Sequence, residues 1–351
     1  MSRLKHRLAT MAGPAIRLHR RAQRARRPLM KYMEQKTLKS EPKFRDDVRP
    51  IFIIGAPRSG TSILTWVLGQ HPNIQPMPET SWIASLGTGA FLSYAIGSER
   101  ERFSHLSNVG FPQEPFMRRI GEAINAIVHD VFEERCRIFY GDYVARGEIR
   151  INPNNPTKHL QIRRAVDDPK RRWVDGTPLN SQFLWPLIEM FPDAQFIHNL
   201  RKPHEVAASL EGFEAVGAQA QDLTTGLRTW ITHTENAWYG ERVLGNRKAF
   251  RLDFERISRE PEALLMDIST FLGEDYHPHC LIPLGERINS SQVDDKRESA
   301  LERMRKYEVF SIAESLYNEI TSRPIGEGGD EQALAVLKQR FLDHCRDRRL
   351  V

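Results

Sequence analysis

Apolar positions along this chain fall into two kinds of run. Ile51, Phe52, Ile53 and Ile54 are consecutive, β-branched or aromatic, with no polar alternation, which predicts a strand covered on both faces. Gly55 and Pro57 end it. Ile63, Leu64, Val67 and Leu68 then recur at i, i+1, i+4 and i+5, the single apolar stripe of a helix. The same reading predicts strands near 50–55, 172–175, 194–200 and 249–254, separated by helix-period segments. Residues 191–209 pass from a strand into a helix opened by Pro203. Repeated strand–turn–helix units predict the α/β class: a P-loop-like three-layer fold whose central parallel sheet is flanked by helices. Residues 83–170 interrupt those units with a long helical and irregular insert. The expected layout is a basic N-terminal arm over 1–47, one catalytic domain over 48–325 and a C-terminal helix over 326–351. No internal repeat is evident.

The turn between the first strand and helix carries the first candidate chemistry. Gly55-x4-Gly60-Thr61-Ser62 nearly satisfies the nucleotide-binding P-loop, GxxxxGK[ST], with Thr61 where the lysine belongs. Gly60 permits a tight turn, and the unpaired amides at the start of the following helix make an anion cradle to which Ser59, Thr61 and Ser62 add hydroxyls. A kinase needs the absent lysine on its β and γ phosphates; the nearest cation here is Arg58, within the loop.

Pro57-Arg58-Ser59-Gly60-Thr61-Ser62 fits at every position the 5′-phosphosulfate loop P-R-[ST]-G-[ST]-[ST]. The chain thereby resembles the sulfotransferases that use 3′-phosphoadenosine 5′-phosphosulfate (PAPS) and release 3′-phosphoadenosine 5′-phosphate (PAP). Three further stretches extend the resemblance over residues 50–305. Arg201 at a strand end and Ser209 eight residues on match the family's 3′-phosphate site. A guanidinium that forks onto phosphate oxygens, with a helix-borne hydroxyl beside it, suits that chemistry. Phe254-Glu255, Pro261 and Phe271-Leu272-Gly273 are similar to the family's Tyr-Glu and Phe-Leu-Gly pattern, with Phe254 replacing the tyrosine. Ser290-Ser291-Gln292-Val293 and Ala300-Leu301-Glu302-Arg303 resemble the C-terminal donor-contacting segment of the tyrosylprotein branch, implying donor contacts from Ser290 and Arg303.

The resemblance also implies a catalytic base. His71-Pro72-Asn73 through Glu79-Thr80 resembles the tyrosylprotein segment in which the glutamate before the threonine takes the acceptor's proton, so Glu79 is the candidate. An ordinary carboxylate is a weak base, and the role calls for an enclosed, partly desolvated pocket. His105 and His129 are substitutes, because histidine serves in the cytosolic branch. Arg58 and the amides of 59–62 would neutralise charge on the leaving phosphate. Relatives often carry a lysine before Thr-Pro, and Gly176 stands there in Trp173-Val174-Asp175-Gly176-Thr177-Pro178. Lys158, Arg171, Arg172 and Lys296 are candidate replacements. The resemblance implies no metal, and His277-x-His279-Cys280 reads as a surface turn.

Charge changes the picture at the N-terminus. The chain has 51 Lys/Arg and 45 Asp/Glu, but residues 1–47 alone hold 14 against 4. That arm could meet an anionic membrane surface, nucleic acid or an acidic partner, or remain solvated; no specific nucleic-acid reader is indicated. Residues 135–172 hold ten Lys/Arg against four acids and lie almost wholly in the 83–170 insert, the expected acceptor-binding lid, hinting at an acidic or already sulfated acceptor, though the donor's two negatively charged ends need cations too. No apolar stretch long enough to span a bilayer occurs, and three dispersed cysteines fit a reducing compartment, so a cytoplasmic location is expected, peripheral to a membrane at most. The acceptor class, whether carbohydrate, lipid, peptide or small alcohol, is left open. Two other readings stay open: a P-loop nucleotide kinase, and a non-catalytic nucleotide cradle that docks to membrane or nucleic acid through its arm.

Overall fold

A computed structural model of the chain describes residues 48–141, 147, 163–165, 167–212, 220–285 and 300–347. Its centre is a five-stranded, all-parallel sheet of β1 (Ile51–Ile54), β2 (Ile74–Pro76), β3 (Arg172–Asp175), β4 (Gln195–Leu200) and β5 (Ala249–Asp253) in the order β2-β3-β1-β4-β5. Ile51 lies opposite Val174 on one side and Gln195 on the other. The four predicted strands are present. The short edge strand β2 is an addition: three residues ending in proline give no periodicity, and proline is tolerated at an edge.

Nine main helices accompany the sheet among the described residues: α1 (Thr61–Leu68), α2 (Ser81–Ser98), α3 (Gln113–Tyr140), α4 (Leu184–Met190), α5 (Pro203–Glu211), α6 (Leu223–Leu244), α7 (Pro261–Leu272), α8 (Glu308–Ser322) and α9 (Glu331–Asp347). Side chains alternate across a strand, so β1 serves two cores. Phe52 and Ile54 join Trp173, Phe196 and residues of α3, α4 and α9, while Ile51 and Ile53 join Val174, Ile197 and residues of α1 and α7. The Phe52 ring centroid lies 5.3 Å from those of both Trp173 and Phe196, which ties three adjacent strands together on one face. Both sheet faces are therefore covered, as a parallel sheet requires.

From β1 the chain crosses to the β2 side, then returns past β1 to reach β4 on the other side. The carboxyl ends of β1 and β4 thus bound the sheet's topological switch point, where open α/β sheets bind ligands. The loops leaving those two strands carry Arg58 and Arg201. No helix among the described residues is long and apolar enough to cross a membrane.

Candidate functional site

The loop after β1 is held in a shape that few sequences could adopt. Gly55 has φ +143°, and a Cβ there would lie 2.6 Å from the Asn199 carbonyl oxygen. Its N–H donates to Ser181 Oγ at 2.9 Å, and that hydroxyl donates back to the Gly55 carbonyl at 2.9 Å. Arg58 (φ 68°) and Gly60 (φ 98°) are both left-handed, flanking Ser59, whose N–H donates to Ala56 O at 3.1 Å. Asn199 Nδ2 clamps the turn through Ser59 O at 3.0 Å. A non-glycine residue in this region costs about 1–2 kcal/mol, so the turn at Arg58 stores strain. Gly60 then caps α1 with no side-chain bond to its first amides, which leaves those N–H groups without intrahelical partners. Thr61 is buried and Ser62 half-buried beside them.

Two arginines meet across this turn. Arg58 Nε donates to Ser209 Oγ at 3.0 Å, a contact between residues 151 apart in sequence. Arg201 Nη1 donates to the Arg58 carbonyl at 3.0 Å, and its Nε to Glu205 at 2.8 Å. Pro203 starts α5, which places Glu205 one turn in and Ser209 on the buried side. Burial, and the neighbouring charge of Arg201, lower the Arg58 pKa from its ordinary value. Phe254 supports the pair: the Arg201 guanidinium lies 4.6 Å over its ring, and a Cβ on Gly60 would come within 2.0 Å of that ring. The ring, rather than a phenolic hydroxyl, does the positioning at this place in the chain.

His233 of α6 sits beneath the loop and has no counterpart in the sequence reading. It is buried, with Nδ1 donating to Pro178 O at 3.2 Å and Nε2 accepting from Gln182 Nε2 at 2.9 Å. Burial pushes its pKa down to about 4, which fixes it as a neutral strut. A histidine in a polar stretch of a long helix gave no signal of this.

Glu79 stands at the end of β2, where Thr80 anchors it. Thr80 Oγ1 donates to Asp175 Oδ2 at 2.5 Å, and its N–H to Thr177 Oγ1 at 2.7 Å. The Thr177 N–H and hydroxyl donate to Asp175 Oδ1 at 2.9 and 2.5 Å. Asp175 is fully buried, and burial raises its pKa. Glu79 itself is exposed, so the enclosed surroundings expected of it are absent. It lies on the rim of a cavity of about 450 Å³ between α2 and α3, walled by Met77, Trp82, Leu86, Ile127, Val131 and Phe132. His129 is half-buried near by and engaged with Gln75 at 3.2 Å; His105 is exposed in the loop after α2.

Several other expectations change. Gly176 has no room for a side chain, because a Cβ would lie 2.1 Å from Thr65 Oγ1. Arg171 and Arg172 do not replace the lysine. They stand at the start of β3, the opposite end of the strand from Gly176, where Arg172 is buried against Glu274 (3.0 Å) and Gln195 (2.7 Å). Lys170 is buried there too, donating to the carbonyls of Gly69, His71 and Ile74. The basic run over 135–172 therefore includes structural ties and is not simply a surface for an acidic acceptor. Arg303 is half-exposed and held by Glu211, two residues beyond Ser209 on α5, at 3.1 and 2.5 Å. Ser290, Lys158, Lys296 and the arm over 1–47 lie outside the described residues. Cys280 is buried in a core rather than on a surface turn, and burial pushes its thiol up to about 12. Among the described residues no cluster of His, Cys, Asp and Glu could hold a metal.

Residues 50–278 match the profile of the family described as "Sulfotransferase family". An "Uncharacterized protein" of Aquifex aeolicus (strain VF5) is 24% identical over 287 residues, covering 75% of this chain and 31% of that one. "Nodulation protein NoeE" of Sinorhizobium fredii is 29% identical over 169 residues, 47% of this chain and 32% of that protein. The chain thus spans about a third of the length of these curated relatives. Among solved structures, the "Sulfotransferase Domain from the Synechococcus PCC 7002 Olefin Synthase" is 17% identical, with 86% of this chain and 98% of that chain covered at a TM-score of 0.40.

Proposed function

The chain belongs to the sulfotransferase family, and from that premise we propose that it moves the sulfuryl group of PAPS onto a hydroxyl or amine of an acceptor and releases PAP. The observation that supports this most is the convergence of Arg58, Arg201 and Ser209 with the α1 N-terminus at the switch point. The donor set suits a ligand with phosphate at two ends: two guanidiniums, hydroxyls and uncapped amides, beside which the Glu205 carboxylate is engaged by Arg201. Ser59 Oγ and Asn199 Oδ1 are, in addition, buried polar atoms without a partner among the described residues.

In this reading Arg201 and Ser209 take the 3′-phosphate, and Arg58, the Ser59 hydroxyl and the amides of residues 60–62 hold the 5′ end, the Ser59 amide being bonded to Ala56 O. Gly60, Thr61 and Ser62 present backbone dipoles to charge that grows on the leaving phosphate, an effect that needs no reorganisation during the reaction. Glu79, exposed in the free protein, accepts the proton of the attacking O–H or N–H once the bound acceptor covers it. The new bond forms to sulfur as the sulfur–oxygen bond to the phosphate breaks, and PAP departs with that electron pair. Alignment and charge neutralisation are most of what such a transfer asks of a protein, by analogy with phosphoryl transfer. Incubating the full chain with sulfur-labelled PAPS and a panel of alcohols, phenols and amines tests the proposal. Labelled product and PAP should appear in equal amounts; PAPS left intact across a broad panel would refute it.

A further inference from the structure

The two helices that follow Glu79 carry more apolar side chains than their packing uses. In α3 the buried stripe runs through Met117, Ile124, Val128 and Phe132. Beside it, Ile127 and Val131 make a second apolar row at i and i+4 that stays 44% and 53% exposed. In α2, Trp82 and Leu86, again i and i+4, are 38% and 41% exposed. These four side chains wall the same cavity. Scattered exposed apolar residues need no explanation, but a contiguous set lining a concavity marks a binding surface.

The cavity's chemistry narrows its occupant. Its volume of about 450 Å³ is in the range of small-molecule sites. Its polar walls are already employed: Gln75 with His129, Thr80 with Asp175, and Arg135 Nη1 with the Pro76 carbonyl at 3.2 Å. A sugar ring would bury a hydroxyl on nearly every carbon against Met77, Leu86 and Val131, exchanging bonds to water for none. An alkyl chain or unsubstituted aromatic ring loses nothing there. Glu79 occupies the rim, one residue before the anchored Thr80, so a body seated in the cavity leaves its hydroxyl at that carboxylate.

We propose that the cavity between α2 and α3 is the acceptor pocket and that the acceptor is an apolar alcohol: a hydroxyl on an aliphatic or aromatic body. This rests on the sulfotransferase reading, but the pocket's selectivity can be measured without turnover. Primary alcohols of four, six, eight and ten carbons are titrated into the full chain by calorimetry, with glucose as the polyol control. The same is done with Val131→Glu and Leu86→Glu, both at exposed positions, and each protein's PAP affinity is measured as a check on the fold and on the donor site.

Burial of a methylene is worth about a fourfold change in affinity, so the dissociation constant should fall about fourfold per added carbon until the cavity is filled. Both variants should flatten that gradient and keep the wild-type PAP affinity. No gradient in the wild type, as when the chain's own residues fill the cavity, overturns the proposal. So does an undiminished gradient in both variants, or glucose binding as tightly as octanol. A steep gradient in a protein that fails to bind PAP upholds the apolar pocket and refutes the donor reading instead, which separates the two claims.

Discussion

Replacing Gly60 with alanine probes whether the cradle is built on the contact between Gly60 and Phe254. Two penalties arise from the geometry. The backbone at φ 98° is left-handed, which costs an L-residue about 1–2 kcal/mol. The new methyl would also lie 2.0, 2.7 and 2.9 Å from three atoms of the Phe254 ring. That ring cannot simply yield: the Phe254 N–H is bonded to Leu200 O at 2.9 Å, and the Arg201 guanidinium lies over its face. Overpacking of this kind costs about 1–3 kcal/mol, so Gly60→Ala should destabilise by about 2–5 kcal/mol in all. Phe254→Ala alone loses apolar burial and the guanidinium stack, about 2–4 kcal/mol. In the double variant the clash vanishes while the backbone strain persists. The pair should therefore be about 1–3 kcal/mol more stable than the sum of the single effects predicts. Urea denaturation of the four proteins measures the cycle. Additivity within about 0.5 kcal/mol would refute the claim that this ring and this glycine are packed as described.

Glu79→Gln should lower turnover by about 10²–10⁴-fold with PAP affinity little changed, measured by product formation and calorimetry; wild-type turnover would remove Glu79 as the base. Arg201→Ala should weaken PAP by about 10–100-fold and AMP, which lacks the 3′-phosphate, far less; equal losses would place the 3′-phosphate elsewhere. His233 titrates at about 4 in the folded protein against an ordinary 6.5, so the unfolded chain binds its proton more tightly. Its contribution to stability is fully present above pH 6.5 and is lost as pH falls toward about 4, on the order of 3 kcal/mol. Chemical denaturation from pH 4 to 7 should show this slope in the wild type and a shallower one in His233→Gln.

The parts of the fold legible in the sequence are the local ones. A continuous β-branched run, a glycine-rich turn and an apolar helical stripe specify β1, the loop and α1 within one short segment, and the same holds for β4 and α5. β2 was not legible because its three residues carry no period and its pairing is supplied by Arg172–Val174. At the switch-point cradle, the residue types on each loop could be read, but the bond from Arg58 to Ser209 depends on β1 and β4 lying side by side. Gly176 read as a lysine lost. The steric block by Thr65 depends on α1 packing against the end of β3.

Charge counting misled for a related reason. Lys170 and Arg172 count as surface cations in a sequence, yet they are buried and close the end of α1 and the start of β3. Conversely, Trp82, Leu86, Ile127 and Val131 widen the apolar stripes of two helices without saying what they face. Only the approach of α2 to α3 turns them into a cavity beside Glu79.

Calorimetric titration with PAP beside ATP and ADP decides whether the switch-point cradle binds a nucleotide phosphorylated at both the 3′ and 5′ positions. PAP should bind tightly, with ATP and ADP weaker by at least tenfold, since neither offers a 3′-phosphate to Arg201 and Ser209. ATP binding as tightly as PAP, or no binding of PAP at all, would contradict this assignment of the cradle.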